Sequence, residues 1–106
     1  MIEALPVAKE MGHYKLTAIE TFDNPGEPSG SAIRARPLAG QGYSTDLRVE
    51  CSSMMRRNYP VGTVFIVEAQ LKENSAGTQY LYTHYNWPFE VVDRKQAERR
   101  IQTSTL

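Results

Sequence analysis

Residues 13–20, HYKLTAIE, set Tyr14, Leu16 and Ala18 on one face against Lys15 and Thr17 on the other, the period of two that marks a strand with one side buried. The next stretch, TFDNPGEPSGS, packs two prolines and two glycines into eleven residues. That density excludes helix or central strand and predicts a long loop, and connections of such length are often put to use. SAIRARPL then places Ile33 and Ala35 on one face and Arg34 and Arg36 on the other, a second strand that Pro37 and the glycines of AGQG bring to an end. In YSTDLRVE, Tyr43, Thr45, Leu47 and Val49 alternate with Ser44, Asp46, Arg48 and Glu50, the cleanest strand pattern in the chain.

CSSMMRRN changes character. Ser52 or Ser53 can cap a helix, and the straight-chain Met54, Met55, Arg56 and Arg57 suit one or two helical turns. Pro60, Val61 and Gly62 break it, and TVFIVEAQL follows with enough β-branched and aromatic residues for a central strand. KENSAG reads as a hairpin-type turn leading into a fifth strand, TQYLYTHY, which Pro88 ends. Residues 89–92 fit a short extra strand, and Asp93 with Gln96 three residues later resembles a capping box at a helix start. Only Val92, Ala97 and Ile101 give that helix an apolar face, so it packs lightly on the domain or meets a partner, and the final TSTL is expected to fray.

This string predicts a mainly β protein: a small five-stranded barrel in the order β-β-β-α-β-β, the order of an OB-type barrel, with a short C-terminal helix. An SH3-like barrel or another small curved sheet yields much the same string. The 106 residues suit a single domain, with 1–12 as an N-terminal arm, 13–92 as the barrel core and 93–106 as helix and tail.

Composition removes several classes of function. Apolar residues make up 41% and charged residues 23%, and no run approaches the roughly 18–20 apolar residues of a membrane span, so no membrane partner is expected. The opening MIEALPVAKEM lacks both a basic leader and a continuous apolar segment, so the expected location is the cytoplasm. With a single cysteine, Cys51, no intrachain disulfide can form. A metal site from His13, His84, Cys51 and Asp46 lacks the short ligand spacing of zinc motifs, and neither GxGxxG nor GxxxxGK[ST] occurs. No cofactor, metal or catalytic residue is therefore assigned, and Cys51 is read as a small apolar side chain.

Charge distribution is more informative than its sum. Twelve basic and twelve acidic residues cancel, but residues 31–62 hold five arginines against two acids. Arg34, Arg36 and Arg48 share the solvent faces of the second and third strands, Arg56 extends the run, and Lys72 with the 21–30 loop borders the same region. Tyr80, Tyr82 and His84 fall on one face of the fifth strand, with Leu81, Tyr85 and Trp87 on the other. If the leucine face is the core, the other is a row of rings able to stack on bases. Tyrosine also favours sheets for packing alone, which is the plain alternative. The reading is a non-catalytic binding module for single-stranded nucleic acid or oligonucleotide. The alternatives are a protein-interaction module or homodimer using the same aromatic face or the TVFIVEAQL edge, and a protein with a small-molecule pocket inside the barrel.

Overall fold

A computed structural model describes residues 8–10, 12–25 and 33–106. The elements run β1 (Ala8–Glu10), β2 (Lys15–Asp23), β3 (Ile33–Pro37), β4 (Val49–Glu50), α1 (Ser53–Arg57), β5 (Val64–Asn74), β6 (Gln79–Tyr82), β7 (Glu90–Val92) and α2 (Arg94–Gln102). The sheet follows the path β3-β2-β5-β6-β4, antiparallel throughout except for the parallel β4–β6 pair. Its two outer strands, β3 and β4, come within 8 Å of each other by Cα positions, so the sheet curls into a nearly closed barrel. The predicted small β-barrel with a short C-terminal helix is thus the architecture of the chain.

The organising strand is β5. Its run of Val64, Phe65, Ile66 and Val67 is buried on both faces, the arrangement that a continuous β-branched and aromatic segment favours. Phe65, Val67 and Ala69 point into the barrel beside Ile19, Val49, Met55 and Leu81. Val64 and Ile66 point outward, into a second cluster with Ala18, Leu38, Val92 and Ala97 beneath α2. Tyr59, Phe65 and Phe89 meet edge to face, with ring centroids 5.2–5.8 Å apart, and fill one end of the interior.

Several local expectations need correcting. TVFIVEAQL is not a free edge along its length: β5 pairs with both β2 and β7 over Val64–Ile66 and, beyond that segment, with both β1 and β6 over Lys72–Glu73, while among the described strands Val67–Ala69 pairs with β2 alone. The alternating 43–50 segment forms a ladder only at Val49–Glu50. Upstream, Ser44 turns the chain: its carbonyl accepts from Leu47 N at 3.2 Å and its Oγ from Asp46 N at 3.1 Å, local bonds that compete with a strand. The predicted 21–30 loop begins later than its composition suggests, since β2 continues to Asp23, and residues 26–32 lie outside the described residues. Residues 1–7 and 11 of the N-terminal segment also lie outside them, whereas Ala8–Glu10 pairs with Lys72–Asn74.

Both helices start where side-chain capping places them. Ser52 Oγ accepts from Met55 N at 3.4 Å, and Asp93 Oδ1 accepts from Gln96 N at 2.7 Å. The second helix packs on its own domain through Ala97, fully buried, with Ile101 and Leu106 against the outer cluster. The expected fraying tail is therefore tied down at its last residue. Gly40, at φ +94°, lets the chain pass beneath Ile101, whose Cγ2 lies 3.2 Å from where a Cβ would stand. A further clasp joins sheet and helix: Glu20 pairs with Arg36 at 2.9 Å and also with Arg94 at the start of α2. Asp93→Ala removes the cap and is expected to lower the unfolding free energy by about 1 kcal/mol, read as an earlier midpoint in urea denaturation with an unchanged slope.

Candidate functional site

The seam between β3 and β4, where the sheet stops short of full closure, gathers the arginines. Arg34 reaches it from β3, Arg48 from the residue before β4, and Arg56 from α1, which closes one end. These three line one depression together with Glu50 and Cys51. Arg56 Nη1 also donates to Ile33 O at 3.4 Å, which anchors the helix to the start of β3. A neighbouring depression continues past Arg34 and Arg36 toward Phe22, and a third, of about 440 Å³, opens between β4 and the β5–β6 hairpin. Arg48 lines all three. Sharing Arg48, they adjoin as one channel that starts at the seam and passes β4 to the hairpin, with Arg48 at the junction.

Register explains the composition of the third cavity. Val49 pairs with Leu81 and Glu50 with Tyr82, and Leu81 N donates to Arg48 O at 2.9 Å. With Val49 and Leu81 facing the core, alternation turns Arg48, Glu50, Tyr80 and Tyr82 outward. Asp46, Arg48, Glu50 and Tyr80 then line the cavity with hairpin residues 74–76, 78 and 79. Gly77 at φ +86° closes that hairpin, and Asn74 Oδ1 accepts from Ala76 N and Thr78 N at 2.9 and 3.0 Å, giving the rim a fixed shape. Among the described residues, the Arg48 guanidinium makes no ion pair or hydrogen bond. Partial burial, then the negative charge of Glu50, then Tyr82 push the Tyr80 hydroxyl above its ordinary value of 10.0.

The structure brings some of the predicted residues together and separates others. Arg34, Arg48, Arg56 and Tyr80 line the channel. Arg36 stands at its far end, with its guanidinium 4.4 Å from the Phe22 ring centroid and bonded to Glu20. Lys72 and Tyr82 lie on the outer face of the sheet beyond Tyr80, and Lys72 Nζ sits 4.1 Å over the Tyr82 ring, so that ring already has a cation on one side. His84 does not extend the tyrosine row. The strand ends at Tyr82, because seven residues, 83–89, oppose only three on β5, 67–69, and the surplus loops outward. In that loop His84 stacks with Tyr85 at 4.8 Å and Trp87 at 5.6 Å, and Trp87 meets Tyr14 edge-on at 4.6 Å. Tyr85 and Trp87 consequently leave the core face, where Leu81 stays buried, and Tyr85 is 69% exposed.

Sequence reading missed Asp46 and Glu50 as site residues. Their signal was the spacing itself, since 46, 48 and 50 share one face of an alternating segment. The hairpin rim carries no comparable signal, because polar turns border most strands.

Cys51 sits half-buried against the barrel core beside the channel. Burial pushes its thiol above the ordinary value of 9.0, and the Arg56 guanidinium pulls in the opposite direction more weakly. A proton held more tightly in the folded state contributes stability that is complete below the unfolded value and is lost as pH rises through the folded one. Unfolding free energy is therefore expected to decline once pH passes 9.0, before Tyr80 begins to act from 10.0, and Cys51→Ala is expected to remove the first part of that decline. An alkaline profile identical in the variant contradicts this assignment.

Among the described residues, no group of three or more His, Cys, Asp or Glu side chains gathers to hold a metal ion, and no helix is long and apolar enough to cross a membrane. Compared with protein-family models, curated proteins and solved structures, the chain matches none.

Proposed function

We propose that the chain is a cytoplasmic, non-catalytic binding module of OB type whose ligand is single-stranded nucleic acid, held in the channel between β3 and β4. The observation that carries this reading is the convergence of Arg34, Arg48 and Arg56 on one open seam, continuous at Arg48 with a cavity bordered by Tyr80. Strand order supports it: the face built by the second and third strands of an OB barrel, with the loop joining its last two strands, is where such barrels meet oligonucleotides. Here those positions are β3, β4 and the hairpin after β5.

Guanidinium groups suit phosphate oxygens because their fork of donors matches two acceptors at once. The chain's formal charge of +0 gives no bulk attraction, so affinity rests on this local group. An open seam also admits a flexible single strand more readily than a rigid duplex. Fluorescence anisotropy of a labelled single-stranded oligonucleotide of about ten nucleotides, titrated at two salt concentrations, tests the reading. Saturable binding that weakens with salt is expected. Absence of binding at low salt overturns it and favours instead a protein partner or second copy at the exposed Tyr85 loop, for which light scattering reads a changed mass.

A further inference from the structure

The cavity between β4 and the β5–β6 hairpin has a charge pattern that a phosphate path does not explain. Asp46, Arg48 and Glu50 line it side by side, and among the described residues neither carboxylate makes an ion pair. Two uncompensated carboxylates repel phosphate where a single arginine attracts it, so this end of the channel is poorly suited to a nucleic-acid backbone. Carboxylates accept hydrogen bonds and donate none, which suits the N–H groups on base edges. The volume, about 440 Å³, falls within the roughly 300–1,000 Å³ of small-ligand sites. Tyr80 lines the same cavity as Glu50, so a stacking surface and an acceptor stand at the same rim.

We propose that this cavity takes a nucleobase carrying an exocyclic amine, in preference to uracil or thymine, with the amine donating to Asp46 or Glu50. The proposal rests on the nucleic-acid reading above and gives the channel a division of labour. Arg34, Arg48 and Arg56 hold phosphates along the seam, and the carboxylates select the base turned into the cavity. Cytosine presents its N4 amine as a donor at the position where uracil presents the O4 acceptor. An acceptor facing a carboxylate leaves both groups unsatisfied, which is how a polar site rejects a near-isosteric ligand.

The test compares oligo-dC with oligo-dU of about ten nucleotides, competed against a labelled strand on the full chain at slightly alkaline pH, where cytosine is unprotonated. Oligo-dC is expected to bind tighter by on the order of tenfold. In an Asp46→Asn, Glu50→Gln double variant both strands are expected to bind more tightly as repulsion is removed, and the dC-to-dU ratio falls to about one, because an amide offers a donor and an acceptor alike. Both positions are exposed, so the fold does not depend on them. Equal affinities in the unaltered protein, or a preference that survives in the double variant, overturns the proposal while leaving the channel intact. Failure of both strands to bind overturns the channel, and this inference with it.

Discussion

Alanine at Arg34, Arg48 and Arg56 together is expected to lower affinity for a single-stranded oligonucleotide by on the order of a hundredfold at low salt, from about 1 kcal/mol for each charge-assisted contact removed. The salt dependence is the sharper readout. Each phosphate neutralised on a single strand contributes about 0.7 to the slope of log affinity against log salt, so the triple variant is expected to lose about 2 from that slope. Arg48→Ala alone isolates the junction of the three depressions. Its side chain is exposed and makes no ion pair or hydrogen bond among the described residues, so its removal is expected to leave stability within about 0.5 kcal/mol while affinity falls about fivefold to tenfold. Arg57, exposed on α1 next to Arg56 but not lining the channel, is the matched control, and Arg57→Ala is expected to change neither slope nor affinity by as much. A triple variant with an unchanged slope contradicts phosphate contact at the seam.

Phe65→Ala is expected to remove about 3–5 kcal/mol of stability, the cost of deleting a fully buried aromatic ring. Phe65 lies inside the barrel on the central strand, 0% exposed, and its ring is the common neighbour of Tyr59 and Phe89. Its loss opens a void and breaks two edge-to-face contacts in one change. Because domains of this size are stable by only about 5–15 kcal/mol, the variant should unfold at a much lower urea concentration and populate its unfolded state at physiological temperature. Leu16→Ala on the adjoining β2, where Leu16 is 44% exposed, serves as the contrast and is expected to cost far less. A loss below about 1 kcal/mol for Phe65→Ala contradicts its place in the core.

Elements announced by a local pattern could be read from the sequence, and the extent of a strand set by distant pairing could not. Asp93 and Gln96 announce α2 because the cap is a bond between residues three apart. The β-branched run at Val64–Val67 announces a buried strand, since burial on both faces leaves no polar position in it. By contrast, Tyr43–Glu50 alternates well yet pairs only at Val49–Glu50, because the Ser44 turn bonds compete at one end and only β6 is available at the other. The tyrosine row fails at His84 for a reason no local pattern carries: the mismatch in length between 83–89 and the facing part of β5. For the site, Arg34 and Arg48 were legible as outward positions of strands. Their meeting with Arg56 and Tyr80 depends on the seam between β3 and β4, which comes from the curl of the whole sheet.

The most direct test of the channel is the amide ¹H–¹⁵N spectrum of the chain titrated with an oligonucleotide of about ten nucleotides. Binding at the seam predicts shifts concentrated at Arg34, Arg48, Glu50 and Arg56 and along the 75–80 hairpin, with the backbone under α2 unchanged. Shifts confined to the 84–87 loop and Tyr14, or scattered without a focus, would contradict it.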